Sequence, residues 1–397
     1  MTSIDHKFTQ INKRIRNNKD SILKTSEEIK KIKAAIEIKK PRPAVKIKSN
    51  IEISLRKAQI KPNFNNKTVL TDSTWHYVEL FLKRNKGEEA LNYWHQAQNF
   101  FKATETLDLL SKPLTTYYCF LNATKALLTF KKIGFDTRHG VSGKSTPGQI
   151  NLINEIVYLH PRGVLSGLCN YLEEPVVTIS VPNTNKRLPE SYTLKDILYN
   201  LEYIHRAYNL TYSNQTELFV PIEEPRFVHD KSRKKGWIEL RLEPEYSTDK
   251  EFAKITGFGK DFYYDQIDYY TLRLNKEFKW DAPRNNPTTE SLQDLSKYYK
   301  NHRKRFRYIY SANKLWYIKR KNLTNGLIDR GTLPLTFAAM HRLSEMSRYD
   351  PNTLEKHLEK SYGWLLSEFI TKSIHQFVDM VSSEITGDDF RVTGFRT

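Results

Sequence analysis

The spacing of apolar positions changes along the chain, and its clearest helical signal lies between Tyr93 and Gly140. Two apolar, aromatic-rich runs are broken at Lys112-Pro113 and followed by a glycine-bearing loop. In the second run Tyr117, Phe120, Leu121, Thr124, Leu127 and Leu128 recur at three- and four-residue spacing, which predicts one wide core face. Tyr118, Asn122, Lys125 and Thr129 form an adjoining polar stripe. Pro113 sits near the start, where a helix tolerates proline. A helix this apolar is expected at the centre of its domain.

Helices are also predicted over Thr74–Lys83, Gly87–Thr106 and Thr193–Asn209, with apolar segments at Ile150–His160 and Leu165–Leu172. From Thr216 the period becomes two: TELFVPI, PRFVHD, GWIELRLE and DQIDYYTLRL read as strands of a small antiparallel sheet. Helical pattern returns at Thr288, includes Leu335–Met346, and restarts at Asp350-Pro351, an N-cap followed by proline, through Leu354, Leu358 and Tyr362 toward Ile370. The tail Gly387–Thr397 reads as loose or partner-bound.

Residues 4 to 36 carry a heptad seam. Phe8, Ile15, Ile22, Ile29 and Ile36 hold one position; Ile4, Ile11, Asn18, Thr25 and Ile32 hold the other. That pattern fits a left-handed coiled coil, as a homodimer or against a protein partner, or an amphipathic helix docked on its own chain. The proline-broken tract that follows, with Lys39, Lys40, Pro41, Arg42, Pro43, Lys46 and Lys48, reads as a basic linker. The expected organisation is therefore a coiled-coil helix over 1–38, a linker over 39–70, a helical core over 71–215, a small sheet insertion over 216–285 and a C-terminal helical part over 286–397. The expected fold class is α+β, predominantly helical.

Charge narrows the choice of partner. The net charge is +19, and residues 1–70 hold 18 Lys plus Arg against 6 Asp plus Glu. Such an excess favours polyanions, nucleic acid first. On the folded part the strongest candidate is Lys297–Lys321, which holds ten Lys plus Arg, seven aromatics and no acid. Arg303, Lys304, Arg305, Arg307, Lys319, Arg320 and Lys321 are the expected phosphate contacts there, with Lys39, Lys40 and Arg42 on the arm. Tyr308, Tyr310 and Trp316 are candidates to stack on unpaired bases. The competing reading is an amphipathic helix with a solvated cationic side.

Catalytic motifs are sparse. Gly140-Val141-Ser142-Gly143-Lys144-Ser145-Thr146 looks like a phosphate loop, but Arg138 stands where the first glycine belongs and a helix precedes it. No H-E-x-x-H, Cys-His zinc spacing or G-x-S-x-G elbow occurs, and no metal or cofactor is expected. Asp230, Glu239 and Arg241 only faintly echo a metal-dependent nuclease strand and read as a wet sheet face. Cys119 and Cys169 lie in apolar surroundings and read as buried thiols of a reducing compartment. No stretch reaches membrane-span length and no signal-peptide core is present, so a cytoplasmic protein is expected.

A resemblance enters through Tyr93-Trp94, Ala97, Phe100-Phe101, Lys112-Pro113-Leu114, Tyr117-Tyr118, Leu121-Asn122-Ala123, Lys125-Ala126-Leu127 and His139-Gly140. This pattern resembles the YaaC-like family of bacterial proteins. Ser347-Arg348-Tyr349-Asp350-Pro351 is similar to that family's late Arg-Tyr-His-Pro box, with Asp350 in place of His. The likeness spans roughly residues 75 to 385 and implies a helix-rich cytosolic bacterial protein. The Tyr-Tyr and Lys-Ala helix is more loosely similar to HEPN-type helical domains, many of which are ribonucleases, although their Arg-x(4–6)-His signature is absent. Three readings follow. The first is a non-enzymatic nucleic-acid-associated or regulatory subunit of a bacterial complex, of host-defence type. The second is a ribonuclease-type effector with His139, Arg138, Asn122 and Lys125 as its polar cluster. The third is an assembly protein recruiting a partner through its coiled coil.

Overall fold

A computed structural model describes residues 42–47, 51–180, 187–242, 261–264, 271–311, 315–321 and 325–393, with 246, 323 and scattered positions between 10 and 26. The central helix forms as its periodicity predicts. It is α3 (Lys112–Phe130), preceded by α1 (Thr74–Arg84) and α2 (Glu88–Glu105). All six residues of its predicted core face are buried. Phe120 stacks on Phe377 with ring centroids 4.1 Å apart. That contact joins α3 to α10 (Gly363–Thr386), while α8 (Thr332–Tyr349) packs along another flank of α3.

The first core also contains a sheet that the sequence pattern did not predict. β4 (Val141–Ser145), β5 (Glu155–Leu159), β6 (Thr178–Ser180) and β7 (Arg187–Thr193) pair antiparallel in the order β4-β5-β7-β6. Strands such as VSGKS and RLPESYT lack an apolar period of two, so their signal is weak. The helix expected over Thr193–Asn209 is broken into α5 (Leu194–Tyr199), a 3₁₀ turn, and α6 (His205–Thr211). Asn200 makes the break. Its side chain donates to the carbonyls of Asp196 and Gly326 at 2.7 and 2.6 Å and accepts from the Ile328 amide at 3.0 Å. α4 (Val164–Tyr171) completes the central group.

The second core is built on a seven-stranded antiparallel sheet. Its members are β8 (Phe219–Asp230), β9 (Lys235–Leu242), β10 (Phe262–Tyr264), β11 (Thr271–Leu274), β12 (Phe278–Lys279), β13 (Phe306–Ile309) and β14 (Leu315–Lys319). The order is β10-β11-β9-β8-β14-β13, with β12 also on β9. Helix α7 (Thr289–Arg303) brings Leu295, Tyr298 and Tyr299 into its core. Two strands of this sheet come from the stretch read as a C-terminal helix, because Phe306, Tyr308, Trp316 and Ile318 alternate with polar neighbours. The expectation of a predominantly helical chain with one small inserted sheet is thus corrected. The fold is mixed, with four sheets among the described residues.

The stretch expected as a linker is structural over its described part. β1 (Lys46–Ile47) and β2 (Ile51–Glu52) form a hairpin, and the backbone around it bonds to β8, Val45 N to Phe227 O at 2.7 Å and His229 N to Pro43 O at 3.0 Å. Residues 53–60 then pass between the two cores as an irregular strap with Ile53, Leu55, Arg56, Lys57, Ala58 and Gln59 all buried. A buried peptide must find partners for its N–H and C=O groups. Here side chains supply them. Tyr299 donates to the Arg56 and Ala58 carbonyls, both at 2.9 Å; Asp389 accepts from Lys57 N at 2.8 Å; Glu384 accepts from Gln59 N at 2.6 Å. Lys57 Nζ reaches Asp379 Oδ1 at 2.7 Å. Burial alone would push that ammonium down, but the carboxylate outweighs it and holds Lys57 above its ordinary value.

Further along, Asp350 caps α9 (Pro351–Leu358) by accepting from Thr353 N at 3.1 Å, as its sequence predicts. The helix does not run on to Ile370; it stops, and α10 starts at Gly363. The tail contributes β15 (Phe390–Val392), which pairs in parallel with β3 (Val69–Thr71). Within the heptad region the described positions are helical, and Ile15 and Ile22 are 59% and 69% exposed. Phe8, Ile11, Ile29, Ile32 and Ile36 lie outside the described residues. Cys119 and Cys169 are buried free thiols. Among the described residues, no helix is long and apolar enough to cross a membrane.

The strap generates a stability prediction. Asp379→Asn leaves the Lys57 ammonium buried without its counter-charge and is expected to cost about 3–5 kcal/mol in urea denaturation. A variant within about 0.5 kcal/mol of wild type would show that the pair does not hold the strap.

Candidate anion-binding site

The β13–β14 hairpin places Arg307 and Lys319 on the face opposite Phe306, Tyr308 and Trp316. Its register pairs Phe306 with Ile318 and Arg307 with Tyr317, so Phe306, Tyr308, Trp316 and Ile318 enter the second core. Arg307, Tyr317 and Lys319 take the other face, toward the helical core. Arg307 and Lys319 are diagonal neighbours across the two strands. With Lys304, Arg305, Arg320 and Lys321 they line a cavity of about 250 Å³, which the segment Leu327–Asp329 closes from the side. Glu174 and Asp329 are the carboxylates in its wall, and Arg305 is ion-paired with Asp261 outside it.

The inner cations are well buried. Arg307 and Lys319 are both 8% exposed, while Lys304 and Lys321 stand at the exposed rim. Lys319 Nζ donates to Ile328 O at 2.5 Å, and Arg307 Nη2 donates to Arg330 O at 3.2 Å. Arg307 Nε has no hydrogen-bond partner among the described residues. Burial, followed by the neighbouring Arg307 charge, pushes Lys319 down to about 7. Behind them Glu202 is fully buried; its Oε1 accepts from Thr332 Oγ1 at 2.5 Å and burial raises its carboxyl. With Arg305 so paired, a polar atom left open in the wall among the described residues is the buried Arg307 Nε, which an anion would satisfy.

A second polar group lies on α3 and α8. Tyr117 Oη and His139 Nδ1 are 2.5 Å apart, and the His139 and His341 rings stand with centroids 5.4 Å apart. Two glycines make the approach possible. Gly163, at φ +119°, lies so near residue 140 that a Cβ would come within 2.4 Å of Gly140 N. At Gly143 a Cβ would stand 2.2 Å from Arg342 Cδ. Arg342 pairs with Glu155 at 2.6 Å, and His357 meets the same carboxylate at 3.2 Å. Burial, with His139, Arg342 and His160 adding to it, pushes His341 down to about 3. His139 is lowered by burial and by the charges of Lys125 and Arg348. Both imidazoles are therefore held toward their neutral forms.

The candidates read from the sequence divide sharply. Lys304, Arg305, Arg307, Lys319, Arg320 and Lys321 converge on one cavity. Arg303 does not join them. It is 2% exposed and donates through Nε, Nη1 and Nη2 to the carbonyls of Arg56, Phe306 and Lys57 at 2.6, 2.6 and 2.8 Å. Tyr308 and Trp316, offered as stacking rings, are core residues. Arg42 pairs with Glu239 at 2.8 Å and lies over the Trp237 ring; Lys39 and Lys40 fall outside the described residues. Glu239 is buried rather than on a wet face, and no metal-competent cluster occurs among the described residues. In the helical core Arg138 forms an exposed pair with Asp136, Asn122 donates to Tyr118 O at 2.8 Å, and Lys125 lies 5.6 Å from the Tyr93 ring centroid. Lys125 is close enough to lower His139, whereas Arg138 and Asn122 make these separate contacts. His341 and Glu174 were missed, because nothing in their local sequence announces a partner more than a hundred residues away.

The fold and the pocket define a mixed α and β protein whose two cores share one buried strap and flank a cationic cavity. The chain belongs to the YaaC-like family: the model for YaaC-like Protein matches residues 10–385, nearly its whole length. No curated protein and no solved structure matches it.

Lys319 yields a pH prediction. Its value is lowered in the folded state, so the unfolded chain binds more protons between about pH 7 and 10.5, and stability rises with pH across that window. The rise attributable to Lys319 is on the order of 3 kcal/mol. Lys319→Met should lack it, as read by urea midpoints at pH 7 and 9.5; parallel curves for the two proteins would contradict the assignment.

Proposed function

We propose that this protein is a non-enzymatic, nucleic-acid-binding subunit that engages phosphates at the β13–β14 cavity. The supporting observation is the convergence of six cations on one concavity, in a chain of net charge +19. Arg307 and Lys319 come from β13 and β14, and Lys304, Arg305, Arg320 and Lys321 from the segments beside them. Arginine and lysine on a rigid hairpin hold a fixed spacing, which favours phosphate recognition over diffuse attraction. The histidine group supports a ribonuclease reading less well. Acid–base cleavage at neutral pH needs one protonated and one neutral group, and His341 stays neutral there.

The test combines salt and location. Log affinity for a single-stranded oligonucleotide should fall linearly with log salt. Replacing the exposed Lys304 and Lys321 by Glu should weaken binding and flatten the slope by about two contacts' worth. Unchanged affinity and slope in that double variant would move the site elsewhere, and no binding of DNA or RNA at low salt would remove the reading.

The exposed Ile15 and Ile22 support a second element, self-association through the N-terminal heptads. Ile15→Asp, Ile22→Asp and Ile29→Asp together should reduce the mass seen by light scattering from dimer to monomer. Equal masses for wild type and triple variant would exclude it.

A further inference from the structure

The depth of the cavity carries more than a general affinity for phosphates. Its rim cations, Lys304 and Lys321, are exposed and suit a phosphate at the surface. Arg307 and Lys319 are different, because they lie behind the rim, more than nine-tenths buried. An internal phosphodiester reaches such a position only if the strand both enters and leaves the cavity. About 250 Å³ is below the usual range for a drug-sized ligand and leaves no room for two nucleosides. A chain end needs only one way in.

Charge points the same way. A phosphodiester carries one negative charge, whereas a phosphate monoester carries about −1.5 to −2 near neutral pH and three acceptor oxygens. Arg307 offers a buried Nε with no partner among the described residues, beside the Lys319 ammonium. A dianion placed there would accept from Arg307 Nε and pair with the rim lysines.

Resting on the nucleic-acid reading above, we infer that the β13–β14 cavity is an end-recognition site that seats the terminal phosphate monoester of a nucleic-acid strand between Arg307 and Lys319. The rim lysines then hold the first internal phosphates. Seating a dianion favours the charged form of Lys319. A group with a free-state value of about 7 therefore takes up a proton on binding at pH 8, where the monoester is already dianionic.

The experiment uses the full chain and four probes: single-stranded 12-mers with a 5′-phosphate, a 3′-phosphate or hydroxyls at both ends, and inorganic phosphate as competitor. Anisotropy at pH 8 should show at least about tenfold tighter binding of one phosphorylated end than of the hydroxyl strand. Inorganic phosphate should erase that advantage while leaving the hydroxyl strand bound. Arg307→Gln should abolish the advantage, and Lys321→Ala, which changes an exposed residue and spares the fold, should weaken all strands together. Calorimetry in two buffers of different ionisation enthalpy should record uptake of up to about one proton with the phosphorylated strand only. Equal affinity for all three strands, still salt-steep and still sensitive to Lys321→Ala, overturns end recognition and leaves the backbone reading standing. An end preference that survives Arg307→Gln, or that shows no proton uptake, places the end elsewhere and overturns the inference. Loss of binding by every strand overturns both readings.

Discussion

The structure depends on the burial of residues 53–60 between two cores. An irregular segment in that position has no ladder to satisfy its peptide groups, and each orphan would cost on the order of 1–3 kcal/mol. Tyr299 and Arg303 of α7 meet it from the sheet side; Asp379 and Glu384 of α10, with Asp389, meet it from the helical side. The same short stretch therefore locks α7 to α10. Tyr171, whose hydroxyl donates to Glu384 at 2.9 Å, extends the network to α4. A cationic arm that looked like a tether is instead the seam of the molecule.

That seam determines which cations remain for other work. Arg303 lies next to Lys304 and Arg305 in sequence, yet its guanidinium is committed to three backbone carbonyls, sharing that of Arg56 with the Tyr299 hydroxyl. Three residues later the chain enters β13, and strand alternation sends Arg307 away from the aromatic core that Phe306 and Tyr308 fill. The cationic cavity is thus a consequence of where the hairpin must bury its rings. Its wall is completed by Leu327–Asp329 and Glu174, which belong to the helical core, so the cavity exists only where the two cores meet.

The two polar groups of the molecule differ in their balance of charge. Around Glu155 the ions are matched: Arg342 at 2.6 Å, His357 at 3.2 Å and Ser145 Oγ at 3.0 Å saturate one carboxylate. Such a closed network fixes β5 against α8 and α9 and leaves little to offer a ligand. At the hairpin six cations and two carboxylates line the cavity, and burial, followed by the Arg307 charge, lowers Lys319. Imbalance of this kind is stable only at modest cost or with a bound anion.

Several features were legible in the residues alone. The core face of α3 followed from three- and four-residue spacing, and Asp350-Pro351 gave the start of α9 through its capping chemistry. Cys119 and Cys169 were readable as buried thiols, and the Lys297–Lys321 segment stood out by charge. Periodicity works there because each signal is local, within one or two turns. What failed was non-local. Strands VSGKS and RLPESYT are held by their neighbours rather than by their own pattern. Asn200 breaks a well-patterned helix because its side chain donates to Gly326 O and accepts from Ile328 N, over a hundred residues on. Phe306, Tyr308 and Trp316 fit a helical or a strand period equally over so few residues, and only the place beside β8 decided between them. The same pairing chose Arg307 and Lys319 for the cavity and Arg303 for the strap. Sequence determined which residues carry charge, and tertiary structure decided which charges were already answered, because a partner is a matter of distance in space.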